Sequence, residues 1–171
     1  AYIGACMHMK FVAELYHEQL QGGRYFLHEH PRYASSWELE CMKQLAEIPS
    51  VGISRGDRCQ YGAVAASGRD KDRPMKKPTG LMSNSLHVLH SLSRICTGRL
   101  GACRRPKGGR HAICSGKKSK EAAKHPRELC RAVLRGITAQ LKADRRLIGG
   151  CYGTQAKADP ESGLADAEDK V

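Results

Sequence analysis

An apolar run of three residues, Tyr25-Phe26-Leu27, breaks off into His28-Glu29-His30 and Pro31. A short apolar run bounded by polar residues and a proline reads as a buried strand, and this one delivers ionisable groups at its carboxyl end, where open α/β sheets keep their sites. Alternation along a strand puts Glu29 on one face and the two histidines on the other. Glu29 is therefore a candidate hydrogen-bond acceptor for an amine or ring nitrogen. The alternative is a structural carboxylate that ties down the following loop through backbone N–H groups.

The pattern around this strand is a mixed one. Met7, Phe11 and Leu15, with Val12, Tyr16 and Leu20, recur at helical spacing and predict a helix over 4–21, stopped by Gly22-Gly23. After Pro31, Ser35 and Glu38 stand as a capping box ahead of Trp37, Cys41 and Leu45, and Pro49 ends that helix. Ser50 to Ser54 and Leu81-Met82 are short strand candidates, so strand, helix and strand follow one another in a single unit. Asn84-Ser85 caps a helix carrying Leu86, Leu89 and Leu92, and the stripe Leu129, Val133, Ile137, Leu141 predicts a helix over 126–143. Residues 67–74 and 97–118, rich in charge and glycine, read as mobile loops, and 147–171 as a disordered acidic tail.

Charge narrows the function. Residues 99–146 hold 15 Lys or Arg against 3 Asp or Glu, in a chain of net charge +12. Such a segment attracts polyanions, nucleic acid above all, and Arg104, Arg105, Lys107, Lys117, Lys118 and Lys120 are its centre. The plain alternative is a solvated basic face. Lys76-Lys77-Pro78-Thr79 adds two cations and a hydroxyl beside a rigid proline, an arrangement suited to phosphate. A mean hydropathy of −0.52 and no apolar run of spanning length argue against membrane insertion, and no signal peptide is evident.

The 8 cysteines lack the regular spacing of a disulfide framework, which predicts reduced thiols and an intracellular protein, nuclear location included. Cys96, Cys103, His111 and Cys114, with Cys59 as a further candidate, offer zinc-type ligands, although without a paired C-x2-4-C knuckle. His87 and His90 share a predicted helix face and read as solvated. No glycine-rich dinucleotide loop, P-loop, G-x-S-x-G or H-E-x-x-H motif occurs.

Several islands nevertheless occur in a recognisable order: Gly23 to Pro31, Ala34 to Trp37, Asp57 to Gly62, Lys77 to Ser85, Cys96, and His125 to Cys130. In that order they resemble a methyltransferase-like region of copia-type retrotransposon Pol polyproteins. That region is itself similar to the second half of the catalytic domain of cytosine-C5 DNA methyltransferases. The resemblance implies a partial Rossmann-like, class I methyltransferase-type sheet with flanking helices over 1–146, with Glu29 as the base-binding carboxylate of a flipped cytosine. It also implies that Lys76, Lys77 and Thr79 engage backbone or base. The glycine-rich loop that binds S-adenosylmethionine and the Pro-Pro-Cys nucleophile do not occur in residues 1–171. The implied chain is then catalytically incomplete alone and binds no cofactor, with S-adenosylmethionine-dependent DNA methylation expected only of a longer parent.

Three expectations follow. The first is a retroelement-derived methyltransferase-like fragment, the second a non-catalytic nucleic-acid-binding module that takes DNA in preference to RNA, and the third a zinc-stabilised structural domain. Oligomeric state is left open.

Overall fold

The computed structural model describes residues 2–114 and 123–146; the expected tail at 147–171 and Lys117, Lys118 and Lys120 lie outside the described residues. The chain runs α1 (Tyr2–Gln21), β1 (Leu27–Pro31), a 3-10 turn (Ser35–Glu38), α2 (Glu40–Glu47), β2 (Gly52–Asp57), a second 3-10 turn (Arg58–Tyr61), β3 (Pro78–Ser83), α3 (Leu86–Ser91) and α4 (Arg127–Ala143). Helices and strands are thus mixed as expected.

The three strands form one sheet in the order β1-β3-β2, and both pairings are antiparallel. Two strands antiparallel to the same neighbour point the same way. The expected strand-helix-strand unit therefore exists as β1-α2-β2, but split, with β3 inserted between its strands. A Rossmann-like sheet is mostly parallel, and this one has no parallel strand pair among the described residues.

Both faces of the sheet are covered, which explains why β3 is buried from Thr79 to Ser83. On one face Met82 joins Met9, Ala13, Phe26, Met42, Leu45 and Val51, from α1, α2 and the segments beside them. On the other, Leu81 joins Tyr61, Val88, Leu89, Leu92, Leu129 and Ala132, beneath α3 and α4. Neighbouring residues of β3 thus serve opposite cores, as period-two alternation requires. Gly80 lets the Trp37 ring approach the sheet closely, since a Cβ there would stand 2.7 Å from Trp37 Cζ2.

Several local expectations change. β1 begins at Leu27, so Glu29 sits mid-strand opposite Leu81 and not at a carboxyl end. Tyr25 and Phe26 instead form the approach to the strand: Asn84 accepts from the Phe26 N–H (3.0 Å) and donates to the Arg24 carbonyl (2.9 Å). The capping box at Ser35 and Glu38 does not form, because Ala34 and Leu39 occupy the N-cap positions and neither contributes a side-chain bond. Ser85 does cap α3, its hydroxyl accepting from Val88 N–H at 3.3 Å. In α1 the helix is apolar on two sides: Met9 and Ala13 are buried while Ile3, Met7, Phe11 and Leu15 are exposed.

Candidate metal centre

Two stretches remote in sequence, the turn around Cys59 and the segment from Cys96 to His111, converge beyond the end of β2. Cys59 lies in the 3-10 turn after β2, Cys96 in the strap that leaves α3, and Cys103 and His111 in the basic loop. Asp57 holds the strap, donating its N–H to the Arg94 carbonyl (2.8 Å) and accepting from the Cys96 N–H at Oδ2 (2.7 Å). The loop is closed on itself by Cys103 N–H to Gly109 O and His111 N–H to Gly101 O, both 2.7 Å, and by an antiparallel bridge between Ala102 and Arg110.

The result is a compact donor group in which Cys59 Sγ, Cys96 Sγ, Cys103 Sγ and a His111 ring nitrogen all lie within 4.8 Å of one another. Cys96 Sγ is 3.9 Å from Cys103 Sγ and 3.6 Å from His111 Nε2. With Zn–S near 2.3 Å and Zn–N near 2.05 Å, a regular tetrahedron has edges of about 3.8 Å between sulfurs and about 3.6 Å from sulfur to nitrogen. Cys96, Cys103 and His111 stand near those separations and Cys59 Sγ lies within 4.8 Å of all three, so this group can hold a metal ion, and three sulfurs with one imidazole suit zinc.

The surroundings suit a bound cation as well. Arg104 N–H points to Cys96 Sγ (3.5 Å), and Gln60 Nε2 donates to Cys59 Sγ (3.5 Å) and Cys103 Sγ (3.6 Å), contacts that steady thiolates. Burial pushes the Cys59 thiol up to about 12, so without a metal it keeps its proton. Burial is the largest influence on Cys96 and opposes its ionisation, but the Arg104 and Gly98 N–H groups together with the Cys59 and Cys103 thiols lower that pKa on balance. Burial lowers the His111 pKa, favouring the neutral imidazole a metal needs. Lys76 lies 3.8 Å from Asp57 Oδ2 and donates to the Cys96 carbonyl (3.5 Å), placing a positive charge beside the sulfurs.

Cys114 is not part of this group. Ala112 is bridged to Met75 and donates its N–H to Pro74 O, and Cys114 packs against Ala65, Met75 and Ala112. Cys59 takes the fourth place. The sequence offered it only by residue type, as a further candidate, and Asp57 and Gln60, which contact the candidate ligands, gave no signal. None of the seven described cysteines is in a disulfide.

The other expected site residues scatter. Glu29 is ion-paired with Arg58 (Oε1 to Nη2, 2.9 Å) and its Oε2 lies 3.9 Å from His125 Nε2. Thr79 is buried and its hydroxyl donates to the Lys77 carbonyl, which removes it from any phosphate-binding surface. Lys76 belongs to the metal group's surroundings, whereas Lys77 lines a cavity of about 240 Å³ with Arg58, Lys124 and His125. Arg104 and Lys107 are exposed and Arg105 half-buried on the loop that the candidate metal ligands span. His28 and His30 do lie together opposite Glu29, their rings stacked at 5.6 Å.

No helix among the described residues is long and apolar enough to cross a membrane. No family model matches this chain, nor does any curated protein or solved structure.

Proposed function

We propose that this chain is a non-catalytic nucleic-acid-binding module whose basic loop is organised by a zinc ion. The observation that carries the reading is the convergence of Cys59, Cys96, Cys103 and His111 within 4.8 Å of one another, because three of these residues lie in or bound the segment that carries Arg99, Arg104, Arg105, Lys107 and Arg110. A loop with little apolar content cannot pay the entropy of ordering by burial, and a metal supplies that free energy instead. Once ordered, the guanidinium groups face phosphates without first having to be arranged. The test combines elemental analysis with fluorescence anisotropy on duplex DNA and RNA over a salt series. Expected are one zinc per chain, binding that weakens steeply with salt, and loss of binding when a chelator strips the metal. Metal-free protein that binds as well as loaded protein overturns the reading.

A methyltransferase-derived module is the second reading, favoured by Glu29 and its partners Arg58 and His125 beside the 240 Å³ cavity. It predicts that the chain alone neither retains labelled S-adenosylmethionine nor transfers its methyl group to DNA. A longer parent carrying a cofactor loop would do both.

A further inference from the structure

At the tip of the metal-bounded loop stands a residue that packing does not explain. Leu100 is 96 % exposed and has a φ of 50°, in the left-handed region that a branched aliphatic side chain rarely adopts. With Gly101 at φ 81° it forms the centre of a tight turn closed by Ala102 N–H to Arg99 O at 2.9 Å. Two successive positive φ values mark a turn that prefers Asn, Asp or Gly, so leucine is the wrong residue for the turn itself and gains nothing from burial. The turn is nevertheless tied down, since Gly101 O accepts from His111 N–H and Cys103 and His111 flank it as ligands.

Cations surround this leucine. Arg99 precedes it, Arg110 lies alongside with Nε and Nη2 3.9 Å from where a Gly101 Cβ would be, and Arg104 and Lys107 are exposed further along. No acidic residue occurs from 97 to 114. We propose that Leu100 is an apolar wedge that enters between neighbouring bases of a duplex while the flanking arginines hold the phosphates. Proteins that kink nucleic acid use this combination, a branched or aromatic side chain to part the stack and guanidinium groups on either side. A rigid turn matters because a wedge on a slack loop would fold away from the helix instead of parting it. An anionic membrane offers similar charge, but the two exposed aliphatic side chains of the loop, Leu100 and Ile113, provide too little apolar area to anchor a chain, and four arginines against one lysine in the loop favour forked contacts to phosphate.

The inference rests on the nucleic-acid reading above, and one experiment separates them. The zinc-loaded full chain is titrated into a short duplex carrying 2-aminopurine at its centre, and anisotropy and 2-aminopurine emission are recorded together, for the natural sequence and for Leu100→Asn. Asparagine suits the turn, so the variant keeps its fold and metal. Expected are a rise in emission with the natural chain, loss of that rise in the variant, and affinity weaker by roughly five- to twentyfold with an unchanged salt slope. Binding by both proteins without any change in emission overturns the wedge and leaves the module reading standing. No binding by either protein overturns both. Leu100-dependent capture by phosphatidylserine vesicles, with duplex binding indifferent to the substitution, overturns the wedge in favour of a lipid surface.

Discussion

Arg58 Nη2 lies 2.9 Å from Glu29 Oε1, joining the edge strand β1 to the turn that carries Cys59. The pair is asymmetric in its access to water: the arginine side chain is 3 % exposed and the glutamate 25 %. Losing one partner of such a pair is costly in proportion to the burial of the one that remains. Glu29→Leu, which strands a buried cation, should therefore lower unfolding stability by about 3 kcal/mol, and Arg58→Met by a smaller amount, about 1–2 kcal/mol. Urea titrations of the two variants check the order, and an equal or reversed order would mean that Arg58 is rehydrated when its carboxylate is lost. Duplex affinity should be unchanged in Glu29→Gln.

Metal retention tests the choice of Cys59 over Cys114. Cys59→Ser, Cys96→Ser and Cys103→Ser should each abolish stoichiometric zinc, whereas Cys114→Ser should retain it, read by elemental analysis after gel filtration. At a thousandfold excess over its dissociation constant, zinc contributes about 4 kcal/mol of stability. The melting temperature of the natural chain should accordingly fall on adding chelator, and that of Cys59→Ser should not. Zinc lost from Cys114→Ser instead would assign the fourth ligand as the grouping by residue type expected.

Acid should find its target at His28. This ring is 6 % exposed, with Nδ1 hydrogen-bonded to the Tyr16 hydroxyl (3.1 Å), Trp37 edge-on, and Nε2 without a partner among the described residues. Burial first, and neighbouring His30 second, lower its pKa from 6.5 to about 4, while Glu29 acts weakly the other way. The unfolded chain binds this proton more readily than the folded one. His28 therefore leaves stability intact above pH 6.5 and removes it as the pH falls toward 4, by up to about 3 kcal/mol. A stability profile of His28→Leu should be flatter between pH 6.5 and 4 than that of the natural chain. Parallel profiles would show that His28 does not set the acid limb.

The helices were legible because their apolar residues repeat every three or four positions over long stretches, as Leu129, Val133 and Ile137 do in α4. The strands were harder to place: β1 mixes buried and half-buried polar residues because one face meets aromatic rings and the other an arginine, so its apolar stretch marked only the approach. Strand direction was not legible at all, since it depends on β3 entering between two strands that precede it in the chain. For α1, periodicity identified a helix but not its buried side. Met7, Phe11 and Leu15 form the cleaner stripe, yet Met9 and Ala13 face the core. Of the candidate metal ligands, Cys96, Cys103 and His111 were readable from residue type and proximity, while Cys59 comes from 37 residues earlier and only tertiary packing could choose it over Cys114.

Two glycines in helices make opposite predictions for the same substitution. Gly136 of α4 lies against α3, and an added Cβ would stand 2.6 Å from Val88 Cα and 3.0 Å from His87 O, atoms of a backbone that cannot step aside. Gly4 of α1 has nothing within 4 Å of that position. Alanine improves helix propensity by up to about 1 kcal/mol at either site. At Gly4 that gain should appear undiminished as a modest rise in stability. At Gly136 the two helices must separate, and overpacking of this kind costs about 1–3 kcal/mol, enough to reverse the sign. Thermal unfolding of Gly4→Ala and Gly136→Ala measures both. A stabilised Gly136→Ala would show that α3 and α4 slide apart without loss, and that the contact of Leu129 and Ala132 with Val88 and Leu92 is looser than the fold implies.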